Sequence, residues 1–172
     1  MSRPARAALA LAGLLALATQ ALRAEPSEGL LDCAPPDRVA QVLAAVNARR
    51  AAGAHCGDRD WPPVAALAWS EPVAAAAAAH AADSARHDQM DHRGSDGSQA
   101  DRRLERAGLR WRAWAENLGR GHDGIDALVL HWSQSAVHCA NLMHPRMSLL
   151  GLACRQRAGH ERFWVLTLAA PQ

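Results

Sequence analysis

The 172-residue chain contains no lysine and no tyrosine, and only one phenylalanine. All nineteen of its basic side chains are arginine. No GxSxG elbow marks an activated serine, and no GxGxxG or phosphate loop marks a nucleotide site. HExxH is absent too, so no local zinc motif is present. No CxxC pair occurs, which argues against a four-cysteine zinc site. Beyond the N-terminus no apolar run has the length of about 20 residues that a membrane span needs. Charge of one sign is also lacking. The formal net charge is +2, and three arginines (Arg3, Arg6, Arg23) precede the first acid, Glu25. Without residues 1–24, sixteen arginines face seventeen acids, a charge of −1. A near-neutral domain lacks the basic surface that nucleic acid requires.

What is present is ordinary for a globular chain: 49% apolar and 21% charged residues, enough for one domain with a core. Alanine supplies much of the apolar count, and six tryptophans supply the aromatic mass. Two arginines precede an apolar run from Ala7 to Ala18, and small residues follow. This pattern predicts a Sec-type signal peptide over 1–24, cut after Ala21 or Ala24, and an extracellular or periplasmic domain over 25–172. Leu30-Leu31-Asp32-Cys33 is a poor lipoprotein box, because Asp32 is not small. Four cysteines remain: Cys33, Cys56, Cys139 and Cys154. An even number in an exported chain predicts two disulfides. Closeness in sequence favours Cys33–Cys56 and Cys139–Cys154, each closing a short loop.

Pro35-Pro36-Asp37 opens a helix in which Val39, Val42, Leu43 and Val46 recur at helical spacing, and Gly53 ends it. Residues 54–68 read as loop. Ser70-Glu71-Pro72 starts a second, alanine-rich helix that runs toward His87. A Gly-rich loop (91–98) and a short helix near 99–107 follow, stopped by Gly108. Residues 109–119 read as extended or irregular. A fourth helix begins at Asp123 or Gly124 and carries Ile125, Leu128, Val129 and Trp132. Ser135–Pro145 reads as a compact turn. Leu149–Arg155 and Phe163–Leu168 read as strands joined around Ala158-Gly159. Helices come first and paired strands last, which predicts an α+β layer protein with an antiparallel sheet.

Nine histidines are many for this length. His80 on the alanine helix reads as a core histidine held by Asp83 three residues on. His55, His122, His131 and His160 have no evident partner. Trp132 and Trp164 read as core. His92, Glu116 and His138 are 24 and 22 residues apart, so spacing alone joins them only weakly.

Several segments taken together are more informative. Leu43–Gly53 (LAAVNARRAAG) resembles the opening "LN..R...G" helix of the CAP superfamily, which groups cysteine-rich secretory proteins, antigen 5 and pathogenesis-related 1 proteins. Leu67-Ala68-Trp69 with His80-Ala81-Ala82-Asp83 is similar to its "L.W...L...A..HA" segment. His92–Ser98 resembles the "H.GSDGS" loop of bacterial members. Arg103 to Gly108, then Glu116-Asn117-Leu118-Gly119, is similar to "R...AG......EN(I/L)". Trp132 to His138, then Asn141-Leu142-Met143, is similar to "W..S..H..NLM". The resemblance implies a three-layer α–β–α sandwich with a small central antiparallel sheet. It also implies a cavity where two histidines and two glutamates hold a divalent cation such as zinc in eukaryotic members. By motif, His92, Glu116 and His138 occupy three of those positions, and His92 and His138 are the metal ligands. Ser135 stands at the fourth, where eukaryotic members carry the second glutamate.

The first functional reading is a secreted or periplasmic CAP-domain protein whose His/Glu site takes a divalent cation or a lipid, glycan or protein ligand. The alternatives are a metal-assisted hydrolase or peptidase using His92, Glu116 and His138, and an envelope or interaction protein in which the trio only locks loops to the sheet.

Overall fold

The computed structural model describes residues 29–172; the expected signal segment lies outside them. A short strand β1 (Leu30–Asp32) precedes helix α1 (Arg38–Ala52), which ends at Gly53 with φ 79°. The stretch expected to be loop holds a small hairpin, β2 (Ala54–Cys56) and β3 (Arg59–Trp61), turned by Gly57 at φ 61°. Strand β4 (Ala68–Trp69) leads into α2 (Glu71–His87), which ends on Asp88 in the left-handed conformation. Helix α3 (Ala100–Arg106) is followed by a ten-residue strand, β5 (Trp111–Arg120). Helix α4 (Ile125–Gln134) is followed at once by α5 (Ala136–Met143), where a turn was expected. Its buried Cys139, Leu142 and Met143 follow the i, i+3, i+4 helical pattern. Eight residues directly after another helix offer too little periodicity to separate the two. The chain closes with the hairpin β6 (Leu149–Arg157) and β7 (Phe163–Pro171).

The main sheet runs β1-β6-β7-β5 with antiparallel neighbours, and β4 adds one short parallel pairing to β6. Strand alternation sends successive side chains to opposite faces. Trp164, Leu166, Leu168, Leu150 and Leu152 point to one face, and pack with Val42 and Val46 of α1 and with Ile125, Leu128 and Trp132 of α4. Trp132 and Trp164 are wholly buried, as expected; each large side chain so buried contributes about 1.5–3 kcal/mol. The other face is small: Gly151, Ala153, Val165 and Ala169 lie under Ala76, Ala77 and Ala81 of α2. A Cβ on Gly151 would fall 2.2 Å from the Ala74 nitrogen. The alanine helix therefore lies with its backbone almost on the sheet. Helical layers on both faces of the sheet make the α–β–α sandwich of the α+β class.

Arg50 follows Val42 and Val46 at four-residue spacing and is fully buried. Its guanidinium donates to the carbonyls of Ala65 (2.7 Å), Leu142 (2.6 Å), His144 and Met147 (both 3.2 Å). It thus serves the orphan carbonyls at the end of α5. Asn47 exchanges two hydrogen bonds with the Leu67 backbone, at 2.8 and 3.0 Å.

All four cysteines are bridged, but the expected pairing is corrected. The bridges are Cys33–Cys154 and Cys56–Cys139, with Cα separations of 5.1 and 5.5 Å. Helix α1, about 22 Å long at 1.5 Å per residue, carries Cys56 away from Cys33. Pairing of β1 with β6 places Asp32 opposite Arg155, which brings Cys33 beside Cys154. The β2–β3 hairpin packs Cys56 against Cys139 of α5.

Candidate functional site at the edge of the sheet

Strand β5 is an edge of the main sheet, and its alternation decides what Glu116 meets. Glu116 pairs in register with Thr167 and points to the α2 side. Its side chain is 1% exposed. Arg103 of α3, itself 5% exposed, donates from Nη2 to Glu116 Oε2 at 2.8 Å. The same guanidinium donates to the carbonyls of Ser98 (2.8 Å) and His92 (3.1 Å). His92 Nδ1 lies 2.9 Å from Glu116 Oε1. A carboxylate paired with an arginine only accepts, so Nδ1 carries the proton and donates. The His92 side chain is 55% exposed, and this tautomer leaves Nε2 with a lone pair. The hydrogen bond to Glu116 raises the His92 pKa above its ordinary 6.5.

His80 completes the network from α2, with Nε2 3.9 Å from Glu116 Oε1. It is not held by Asp83. Nε2 donates instead to the Asp91 carbonyl at 2.8 Å, and burial lowers its pKa. Asp83 binds Ser95, accepting from its backbone N–H (2.7 Å) and hydroxyl (2.6 Å). Each longer reach fixes the 91–98 loop, which an i,i+3 pair within α2 would not do.

On the opposite side of β5, Asn117 donates to the His138 carbonyl at 3.1 Å and accepts from Asn141 at 2.8 Å. Asn141 also donates to the Glu116 carbonyl at 3.4 Å. These contacts seat α5 along the edge of β5. His138 is half-buried, its Nδ1 is buried without a partner, and burial lowers its pKa first, with the charges of His131 and His92 adding to it. Ser135 opens α5 as its N-terminal boundary residue, without a side-chain cap bond. His92 and Glu116 are thus in direct contact, and His138 reaches the same edge from the other layer.

A cavity of about 390 Å³ lies between α2, the 94–98 loop and α3. Its lining includes His80, Asp83, Arg86 and Arg103 but not His92, Glu116, Ser135 or His138. The His/Glu group therefore sits on the sheet edge beside this cavity. Arg103 has no assigned role in the sequence, and His80 reads there only as a core histidine. The signal was the arginine thirteen residues before Glu116 within the "R...AG......EN" segment.

His92 and His138 both lie at this edge, and Glu116 stands behind His92 as carboxylates stand behind metal-bound histidines. They do not fit a closed four-ligand site, because both Glu116 oxygens are engaged and Ser135 replaces the second acid. Among the described residues no set of three or more His, Cys, Asp or Glu is arranged to hold a metal.

The sequence profile of the cysteine-rich secretory protein (CAP) family matches residues 43–168. The chain belongs to this family. A search of curated proteins finds no match. Among solved structures it is similar to an extracellular SCP-domain protein from Bacillus anthracis (TM-score 0.61, 19% identity), covering 78% of this chain and 43% of that one. It is similar to an outer surface protein from Borrelia burgdorferi (TM-score 0.59, 15% identity), covering 63% and 80%. NaASP2, determined with Zn2+, aligns at TM-score 0.50 and 15% identity over 83% of this chain and 82% of that one. The chain thus spans less than half of the Bacillus protein. At these identities the likeness is one of fold. Among the described residues no helix is long and apolar enough to cross a membrane.

Proposed function

We propose that this CAP-domain protein is exported and acts as a binding module, in which His92 and His138 present imidazole nitrogens to a divalent cation at the edge of the sheet. The observation that carries this reading is the Glu116–His92 hydrogen bond of 2.9 Å. It fixes the ring's tautomer and leaves Nε2 free to bind on a half-exposed side chain. When bound, the ion would supply a Lewis-acid centre. The chain's own contribution is orientation: Arg103 holds Glu116, and Glu116 holds His92. The bridged cysteines support a compartment outside the cytoplasm. A second reading has its own observation: Arg103 and Glu116 join α3, the His92 loop and β5, an arrangement that suits a purely structural lock.

Calorimetric titration of untagged protein with zinc separates the two. The binding reading expects His92→Ala and His138→Ala to abolish the heat of binding, and Ser135→Glu, which restores an acid, to tighten it. If Ser135→Glu leaves affinity unchanged and His138→Ala only lowers the melting temperature, the cation reading fails and the lock stands.

A further inference from the structure

Two histidines outside this group meet across the loop that follows β5. His122 lies in the 121–124 turn and His131 on α4, with ring centroids 4.7 Å apart and planes inclined by 42°. We infer that His122 and His131 form a separate surface site for a nitrogen-preferring divalent cation, taking Cu2+ ahead of Ni2+ and Zn2+. The geometry permits it. With metal–nitrogen bonds of about 2.0–2.1 Å, each imidazole centroid stands about 3.2 Å from a shared ion. Centroids 4.7 Å apart then subtend about 95° at that ion, between the square-planar and tetrahedral angles.

The carriers are held in place. The indole N–H of fully buried Trp164 donates to the His122 carbonyl at 2.8 Å. Arg162 donates to the Asp123 carbonyl at 2.5 Å. Trp132, next to His131, donates its indole N–H to the Leu118 carbonyl at 2.7 Å. Both rings thus rise from backbone pinned to the core, which spares a bound ion much of the ordering cost. His131 is exposed, so an ion has access. The His122 pKa is lowered, first by burial and then by the neighbouring His131, while Asp123 raises it. Two imidazoles, with water completing the shell, make a nitrogen-rich set that follows the order Cu2+ above Ni2+ and Zn2+.

The test uses the full chain, purified without a tag and titrated with Cu2+, Ni2+ and Zn2+ by calorimetry, with imidazole resonances followed by NMR. We expect His122 and His131 resonances to respond first to Ni2+ and Cu2+. We expect His122→Gln and His131→Gln each to weaken Cu2+ binding by at least about tenfold, with His92→Ala leaving that event intact. Unchanged Cu2+ affinity in the His122→Gln/His131→Gln double variant, with a native NMR spectrum, would mean ring contact only and overturns the site. Loss of the event in His92→Ala assigns the ion to the sheet-edge group and overturns it as well. The converse result, a Cu2+ event that survives His92→Ala and His138→Ala without any zinc heat, leaves this site standing while the proposed function fails.

Discussion

Replacing Glu116 by glutamine removes one charge and almost no volume. Its effect follows from the three groups around the carboxylate. Arg103 must keep an acceptor, so the amide oxygen turns to Nη2 and the amide nitrogen faces His92. An amide N–H2 donates, so His92 Nδ1 must now accept, and the ring proton moves to Nε2. The free lone pair that faced outward is then lost. Arg103, 5% exposed, keeps its carbonyl partners but not its counter-charge. Removing one partner of a buried pair costs 3–5 kcal/mol; about 3 kcal/mol is expected here because the carbonyls of Ser98 and His92 remain. For a domain of this size that corresponds to a melting temperature lower by about 10 °C. The His92 pKa, raised in the native protein by the hydrogen bond to Glu116, should fall. A raised histidine pKa stabilises the fold below 6.5, and that contribution is lost as pH climbs through the folded-state value. The gap between native protein and variant should therefore be widest in acid and narrow to the Arg103 component at alkaline pH. Thermal unfolding at several pH values and long-range nitrogen-15 NMR of the imidazoles measure both effects. A variant that melts within 2 °C of the native protein and keeps the proton on His92 Nδ1 would refute the reasoning.

Three further outcomes are expected. Cys56→Ser/Cys139→Ser opens a bridge spanning 83 residues and should cost about 4.5 kcal/mol in the chain-entropy model; non-reducing peptide maps of the native protein that joined Cys33 to Cys56 would contradict it. Gly151→Ala drives a methyl into the Ala74 backbone and should cost about 3 kcal/mol in urea unfolding, whereas a loss under about 0.5 kcal/mol would show that α2 yields easily. Burial lowers the His80 pKa, so the stability tied to its neutral form is present above 6.5 and lost as pH falls; His80→Gln, which keeps a donor for the Asp91 carbonyl, should flatten the drop in melting temperature between pH 7 and 5, and an equally steep drop would exclude His80 as its source.

Local chemistry was legible in the residues themselves. Val42 and Val46 at helical spacing, the Ser70-Glu71-Pro72 start and Gly53 marked helices. Strand-like segments over Leu149–Arg155 and Phe163–Leu168, joined by a polar turn around Ala158-Gly159, marked the closing hairpin. The ordered segments from Leu43 to Met143 pointed to the CAP family. Cysteine number foretold two bridges, because oxidation state follows compartment and count. Partner choice did not follow, since it depends on distance in space. Sheet order put Cys33 of the N-terminal arm against Cys154 near the other end of the chain, and α1 carried Cys56 away. The same holds for Glu116. Its motif marked a carboxylate of interest, but only the pleat of β5 and the packing of α3 placed Arg103 beneath it and His92 over it. His122 and His131 had no visible link in sequence, and they meet because the turn after β5 is pinned to Trp164 while α4 lies back across the sheet. Periodicity and capping are properties of a few consecutive residues. Which charges, sulfurs and rings come into contact is decided by layers of the fold that no short window of sequence contains.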